Sequence, residues 1–591
     1  MGRGCVGIGE DFVEDEVVWV IGILKDVEGD VSRFLMGTLL ICQGCGQEFL
    51  GSAGDEVDVD KGGVESFHSP SVTTRRGWRK TPQARDRNFF VPRPQATLPG
   101  LNPGRGGWSQ GEGPPPPKKE SEYTHRVFSG MNFLFMKDFS RRLIALSAPI
   151  AVQQAVFTGV NLVDNLMIGQ ISQTSLAAAA VAGQVYFLVM LFLFGITSGS
   201  AILMSQFFGA HNLRGIRHSM ALGLVTAAPG IGFIMIVSMA WPEVLLGLFT
   251  NDPAVIALAV PYQRIIALSY PATLMTNSLS ATLRSTREVK LPMVASSTAL
   301  ILNTLSNIVL INGFLGFPRL GLFGAGIATL IARWIETGLI VVFTLGRRRW
   351  LFWKIRGWFD FTRDFVRKYY RITLPVVGNE LFWSIGFSSY LAVFGRISTA
   401  ALAAYNIQEM AIRIFIIIFV AIGNGGAILL GNTLGAGKQD LAHSYALKIM
   451  TMGPVLALLF SGLSLILAPI LPGFYTISPE SQEIAVQMLR LLAIILPFKV
   501  LNIVNIVAIF RSGGDTVFSL YMDVGVLWLI GVPLAFLSGL VWKVNPAFVL
   551  LIASSEEVVK AFIGIYRVRS RKWIHVFTGR STVGRAPEVG A

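Results

Sequence analysis

Between Asn165 and Leu213 the chain carries no Asp, Glu, Lys or Arg, and the same holds for Leu143 to Val163, Ser219 to Pro242, Leu291 to Pro318 and Ile449 to Pro479. Each window is as long as or longer than the roughly 20 residues a helix needs to cross a bilayer. In lipid every backbone amide must be bonded within the protein, and nothing here alternates polar with apolar as a barrel strand would, so helices are required. Division at the polar breaks gives twelve spans, centred near residues 155, 190, 230, 268, 303, 335, 382, 417, 460, 496, 533 and 555. Only 15% of the residues are charged, which excludes a soluble enzyme with an ordinary surface.

The charge is unevenly divided. Residues 1–130 hold 18 Asp and Glu against 15 Lys and Arg, whereas residues 131–591 hold 18 against 35. The acidic opening from Glu10 to Glu16 does not read as a secretory leader, and from Gly51 the sequence is rich in Gly, Pro and charge. Residues 1–130 are therefore expected to be a disordered or dispensable extension. All three cysteines lie in it, and the lone Cys42-Gln43-Gly44-Cys45 pair has no partners that would complete a zinc site. Function is assigned to the chain from Met131 onward.

Slid against itself by 226 residues, that part of the chain matches without a gap from Pro149 against Pro375 to Gly209-Ala210 against Gly435-Ala436. Gly169, Ile171, Ser172 and Leu176 meet Gly395, Ile397, Ser398 and Leu402, and Pro271 meets Pro497. An offset of 227 then pairs Arg284-Ser285 with Arg511-Ser512. Two six-helix halves follow, 131–346 and 372–575, and because six is even both enter the membrane from the same side as parallel repeats. The recurring prolines are expected to kink their helices.

Lys and Arg collect after the second, fourth and sixth spans and around 347–371, while the opposite loops carry Glu243, Asp252, Glu480 and Glu483. By the positive-inside rule both termini are cytoplasmic, in the inner or plasma membrane of the cell. Residues 347–371, with Trp350, Trp353 and Trp358 among their charges, read as an amphipathic interfacial connector, and 576–591 as a cytoplasmic tail. The basic balance belongs to these membrane edges, and no nucleic-acid partner is expected.

PIAVQQAVFTGVNLVDNLMIGQ in the first span, SGSAILMSQFFGA closing the second, LNTLSNIVLINGFLGFPRLGLFGAGIATLIAR across the fifth and sixth, LPVVGNELFW in the seventh and FRSGGDT after the tenth stand in order. This arrangement resembles the multidrug and toxic compound extrusion (MATE) transporters, of prokaryotic type. The resemblance implies an all-α membrane fold of two six-helix bundles and efflux driven by inward movement of protons or sodium.

Asp164 matches the acidic residue of the family's first-helix motif, where one carboxylate exchanges coupling ion for substrate. A proton and a cation cannot share that carboxylate, which is the coupling antagonism expected here. The resemblance adds Asn303, Asn307 and Thr329 as the other members of a cation site. Glu380 is the repeat-mate of Gln154, and these two, with Gln184, Trp383, Gln408, Glu409 and Arg413, are the candidate lining of a substrate cavity. Glu409 and Arg413, four apart on one helix face, are expected to neutralise each other as an ion pair. Asn502 and Asn505 are read as packing groups, and Asp164 and Glu380 as the exceptional acids within the spans.

The histidines lack metal-ligand spacing and no ATP-binding signature is present, so the chain is read as a secondary transporter, not an enzyme. The expected substrates are drug-like organic cations, carried by a monomer among membrane lipids with no cofactor beyond the coupling ion. A flippase for lipid-linked saccharides is the alternative, and Arg413 is the residue that favours it.

Overall fold

The computed structural model describes residues 120–578 apart from 353, 354 and 476, so the cysteine pair and the readings of most of 1–130 and of 579–591 lie outside it. Every regular element among the described residues is helical. In chain order they are α1 (Glu120–Gly169), α2 (Gln173–Gly209), α3 (Leu213–Ala240), α4 (Pro242–Gly247), α5 (Pro253–Ala267), α6 (Tyr270–Ser285), α7 (Lys290–Asn312) and α8 (Gly321–Arg347). The second half follows with α9 (Arg363–Ile397), α10 (Thr399–Gly435) and α11 (Gln439–Leu467). It closes with α12 (Pro479–Phe510), α13 (Thr516–Val541), α14 (Pro546–Ala553) and α15 (Ser555–Arg569). Helix α1 reaches back past the expected boundary at 131, to just after the Pro114–Pro117 run.

Among the described residues nine helices are long and apolar enough to cross a membrane, and the bent pair α5–α6 makes a tenth. The other two expected positions are occupied by α9 and by the α14–α15 pair, which carry more charge: α9 begins with Arg363, Asp364, Arg367 and Lys368, and α15 holds Glu556, Glu557 and Lys560. One of the recurring prolines stands at a break between helices. Pro271 stands at the 47° break between α5 and α6, whereas Pro149, Pro375 and Pro497 lie inside helices that continue through them. Residues 504–510 of α12 instead widen into a π-helical stretch, as does much of α13.

The repeat is visible in local chemistry. Ser172 and Ser398, paired at offset 226, both take an extended backbone and cap α2 and α10, each hydroxyl accepting an N–H three residues on at 3.0 Å. The halves meet where α1 packs on α10 and α2 on α9. A Cβ on Gly199 would fall 2.7 Å from Thr373, and one on Gly425 would fall 2.2 Å from Ser147. Thr373 and Ser147 are themselves offset by 226, so the seam obeys the same two-fold relation as the sequence. In the connector, Leu351 and Trp358 are buried against the first half's core.

Candidate functional site

Helices α1, α7 and α8 bring Asp164, Asn303, Asn307 and Thr329 to one place. Asn307 Nδ2 donates to Asp164 Oδ1 at 2.7 Å. With its amide oriented to satisfy its neighbours, Asn303 donates to Asp164 Oδ2 at 3.0 Å and accepts from the Thr329 N–H at 3.2 Å. Both asparagines are buried, at 4% and 1% exposure. Their spacing of four puts both amides on one face of α7, aimed at α1. Among the described residues no Lys, Arg or His forms an ion pair with Asp164, so its oxygens are met by neutral donors. That arrangement can exchange a proton, a metal cation or an organic ammonium.

One helical turn beyond Thr329, Arg333 forms an ion pair with Glu336 at 2.9 Å. Its guanidinium also lies about 6 Å from the ring centres of Phe157 and Tyr186, at 6.0 and 5.9 Å. Glu336 Oε1 accepts from Ser296 at 2.5 Å, and Ser296 accepts from Gln153 at 2.8 Å. Gln153, not the neighbouring Gln154, therefore enters this network, while Gln154 and Gln184 are exposed at helix surfaces.

In the second half Glu380 is paired with Arg511, the residue matched to Arg284 in the repeat. Arg511 also reaches Asn379 Oδ1 at 3.3 Å and, across the seam, Ser198 Oγ at 3.2 Å. Trp383 is 39% exposed and stacks on Phe387 at 5.3 Å, and Gln408 is buried with its Oε1 unbonded. The expected Glu409–Arg413 pair is absent: no ion pair within 4 Å joins them among the described residues. Glu409 turns inward to Tyr405, in the field of Lys499 first and of the exposed Arg413 second. Four residues of separation permits a pair but does not require one when a buried partner competes.

The reading of Asp164 and Glu380 as exceptional acids is also corrected. Glu336, Asp523, Glu556 and Glu557 are 3%, 8%, 5% and 7% exposed, and Lys560 is 2% exposed. Asn502, read as a packing group, donates to both the backbone carbonyl and the carboxylate of Glu557, at 2.7 and 2.8 Å. The signal was available: each of these charges stands inside an otherwise apolar span, where pairing is the price of burial.

A family model described as MatE matches residues 149–309 and 375–537, two segments whose starts are separated by the repeat offset found above. An uncharacterized transporter of Bacillus subtilis, YisQ, is 29% identical over 449 residues, covering 74% of this chain and 95% of its own length. The probable multidrug resistance protein NorM of Bradyrhizobium diazoefficiens is 27% identical over 321 residues, 53% of this chain and 67% of its own. In fold, the chain resembles a Vibrio cholerae MATE transporter, VcmN, in its bent form, with a TM-score of 0.67, 18% identity and coverage of 74% and 99%.

Proposed function

The chain belongs to the MATE family of membrane transporters, and from that premise we propose that it is a secondary active antiporter exporting cationic, amphipathic organic compounds. The family consists of transporters and not enzymes. The exchange runs against protons or sodium ions, by alternating access between the two halves.

One observation carries this reading: Asp164 is held by two buried amides and no ion pair, so its charge is left for a mobile cation. Coupling ion and substrate then compete for one carboxylate, and neither returns across the membrane without exchanging for the other. Asn307 supplies an oxygen but no charge, which makes a metal cation's site poorer in anionic ligands and favours the proton as coupling ion. The name NorM, attached to a relative, fits a multidrug role. Both termini are cytoplasmic on this reading, and the protein works as a monomer.

In everted vesicles, whose cytoplasmic face is outward, export by this protein should be read as accumulation of a cationic dye in the lumen when an acid-inside proton gradient is imposed. Asp164→Asn should reach the membrane in normal amount and lose gradient-driven efflux. Normal efflux by that variant would overturn the coupling role, and efflux that follows only a sodium gradient would assign the other ion.

A further inference from the structure

The charges buried in the second half do not balance. Glu557 is fully answered, with Lys499 Nζ of α12 3.0 Å from its Oε1 and Asn502 donating to its Oε2. Lys560 is divided, since its Nζ lies 3.0 Å from Asp523 Oδ1 of α13 and also 3.0 Å from Glu556 Oε2. Asp523 has a second donor in Asn379 of α9 at 2.9 Å. Among the described residues Glu556 has, besides its share of Lys560, only the Tyr390 hydroxyl at 3.1 Å. Three carboxylates therefore face two ammonium groups.

The neighbouring helices do not supply the missing charge. Glu380 is taken up by Arg511. Glu409 on α10 adds further negative field at Lys499. Arg413 is exposed and forms no ion pair among the described residues. Asn505, wholly buried one turn beyond Asn502, has neither amide atom bonded. An uncompensated carboxylate in a bundle surrounded by lipid is costly, and a single proton removes the excess.

We propose that Glu556 is a second proton-exchange site, separate from Asp164. The step is a proton transfer from water to Glu556 Oε2, which turns carboxylate into carboxylic acid with no change of oxidation state. A metal ion does not suit the site: the Lys560 ammonium stands 3.0 Å from the Asp523 and Glu556 oxygens it would need, and no cluster of three or more metal-binding side chains occurs among the described residues. The site is wired to the seam. Protonation leaves Lys560 to Asp523 alone, and Asp523 continues through Asn379 and Arg511 to Ser198 of the first half. Its purpose rests on the antiport reading, but its occupancy can be measured without transport.

The test uses the full chain in lipid nanodiscs and infrared difference spectra between about pH 5.5 and 9, where exposed carboxylates stay ionised. A carboxylic C=O band should form toward acid pH, move on ¹³C-glutamate labelling, persist in Asp164→Asn, shift in Glu556→Asp and vanish in Glu556→Gln. Proton release over the same range should fall by about one per protein in Glu556→Gln. A glutamate-sensitive band that survives Glu556→Gln overturns the proposal. Should that variant not fold, the labelled wild type decides, because the absence of a glutamate-sensitive band overturns it equally. A glutamate band that is present while gradient-driven efflux is absent would instead count against the antiport reading.

Discussion

Gly209 and Gly435, matched in the repeat, each lie against a backbone carbonyl of the other half: a Cβ on Gly435 would fall 1.9 Å from Gln206 O, and one on Gly209 would fall 2.1 Å from Asn432 O. Gln206 and Asn432 are matched at the same offset, so this end of the seam closes through two equivalent backbone contacts. No real Cβ tolerates such distances, and the contact survives only with glycine on both sides.

Gly435→Ala should therefore force the halves apart at this end and cost about 1–3 kcal/mol, the usual penalty for overpacking. The expected result is a lower melting temperature in detergent and a longer spin-label distance across the seam. Gly183→Ala is the control, because nothing lies within 4 Å of its Cβ position, and it should be neutral or slightly stabilising. Equal effects from the two substitutions would show that the close approach is not what glycine provides.

Asn307 makes the shorter of the two amide hydrogen bonds to Asp164, at 2.7 Å against 3.0 Å for Asn303. Asn307→Ala removes a hydrogen bond to a charged group, a loss of about 1.5–3 kcal/mol. If Asp164 carries exchange, efflux by this variant should fall roughly tenfold or more at unchanged protein level, since about 1.4 kcal/mol is a factor of ten. Dye efflux normalised to membrane-inserted protein checks this, and wild-type rates would remove Asn307 from the site.

Much of this architecture was legible because the bilayer imposes a strong and simple constraint: charge-free windows gave the spans, and self-matching gave the halves. The Asp164 cluster is legible through motif resemblance, which implies Asn303, Asn307 and Thr329 as its companions. What escaped was pairing between distant helices. Nothing in sequence spacing says that Lys560 on α15 meets Asp523 on α13, or that Arg511, just after α12, meets Glu380 on α9. Spacing of four on one face is a local rule, and it fails for Glu409 and Arg413 because groups on other helices compete for the carboxylate.

Arg333 and Glu336 test how such buried pairs contribute. Removing one partner leaves a charge uncompensated in a dry bundle and should cost about 3–5 kcal/mol, whereas replacing both by apolar residues of similar volume should be near neutral. Arg333→Met and Glu336→Leu should each melt well below the wild type, and the double variant should recover most of the loss. Additive losses in that thermal cycle would mean that the two side chains stabilise the helices independently.

Gln206 also holds the segment after α15 across the seam. Its Nε2 donates to Ser512 O at 2.9 Å and to His575 O at 3.0 Å, and its Oε1 accepts from the Phe577 N–H at 2.9 Å. Lys368 Nζ donates to Phe577 O at 2.6 Å, and the Trp573 side chain is fully buried. One amide thus ties His575 and Phe577, both just beyond Trp573, to the backbone at Ser512. Gln206→Ala leaves two carbonyls and one N–H without it, each worth about 1–3 kcal/mol where water cannot replace the bond. Release of the segment should be the cheaper response than burial of those groups. Limited trypsin digestion should then cut faster at Lys572 in Gln206→Ala than in the wild type, with the rest of the chain protected as before. Unchanged cleavage would mean that Trp573 and Lys368 hold the segment without the glutamine.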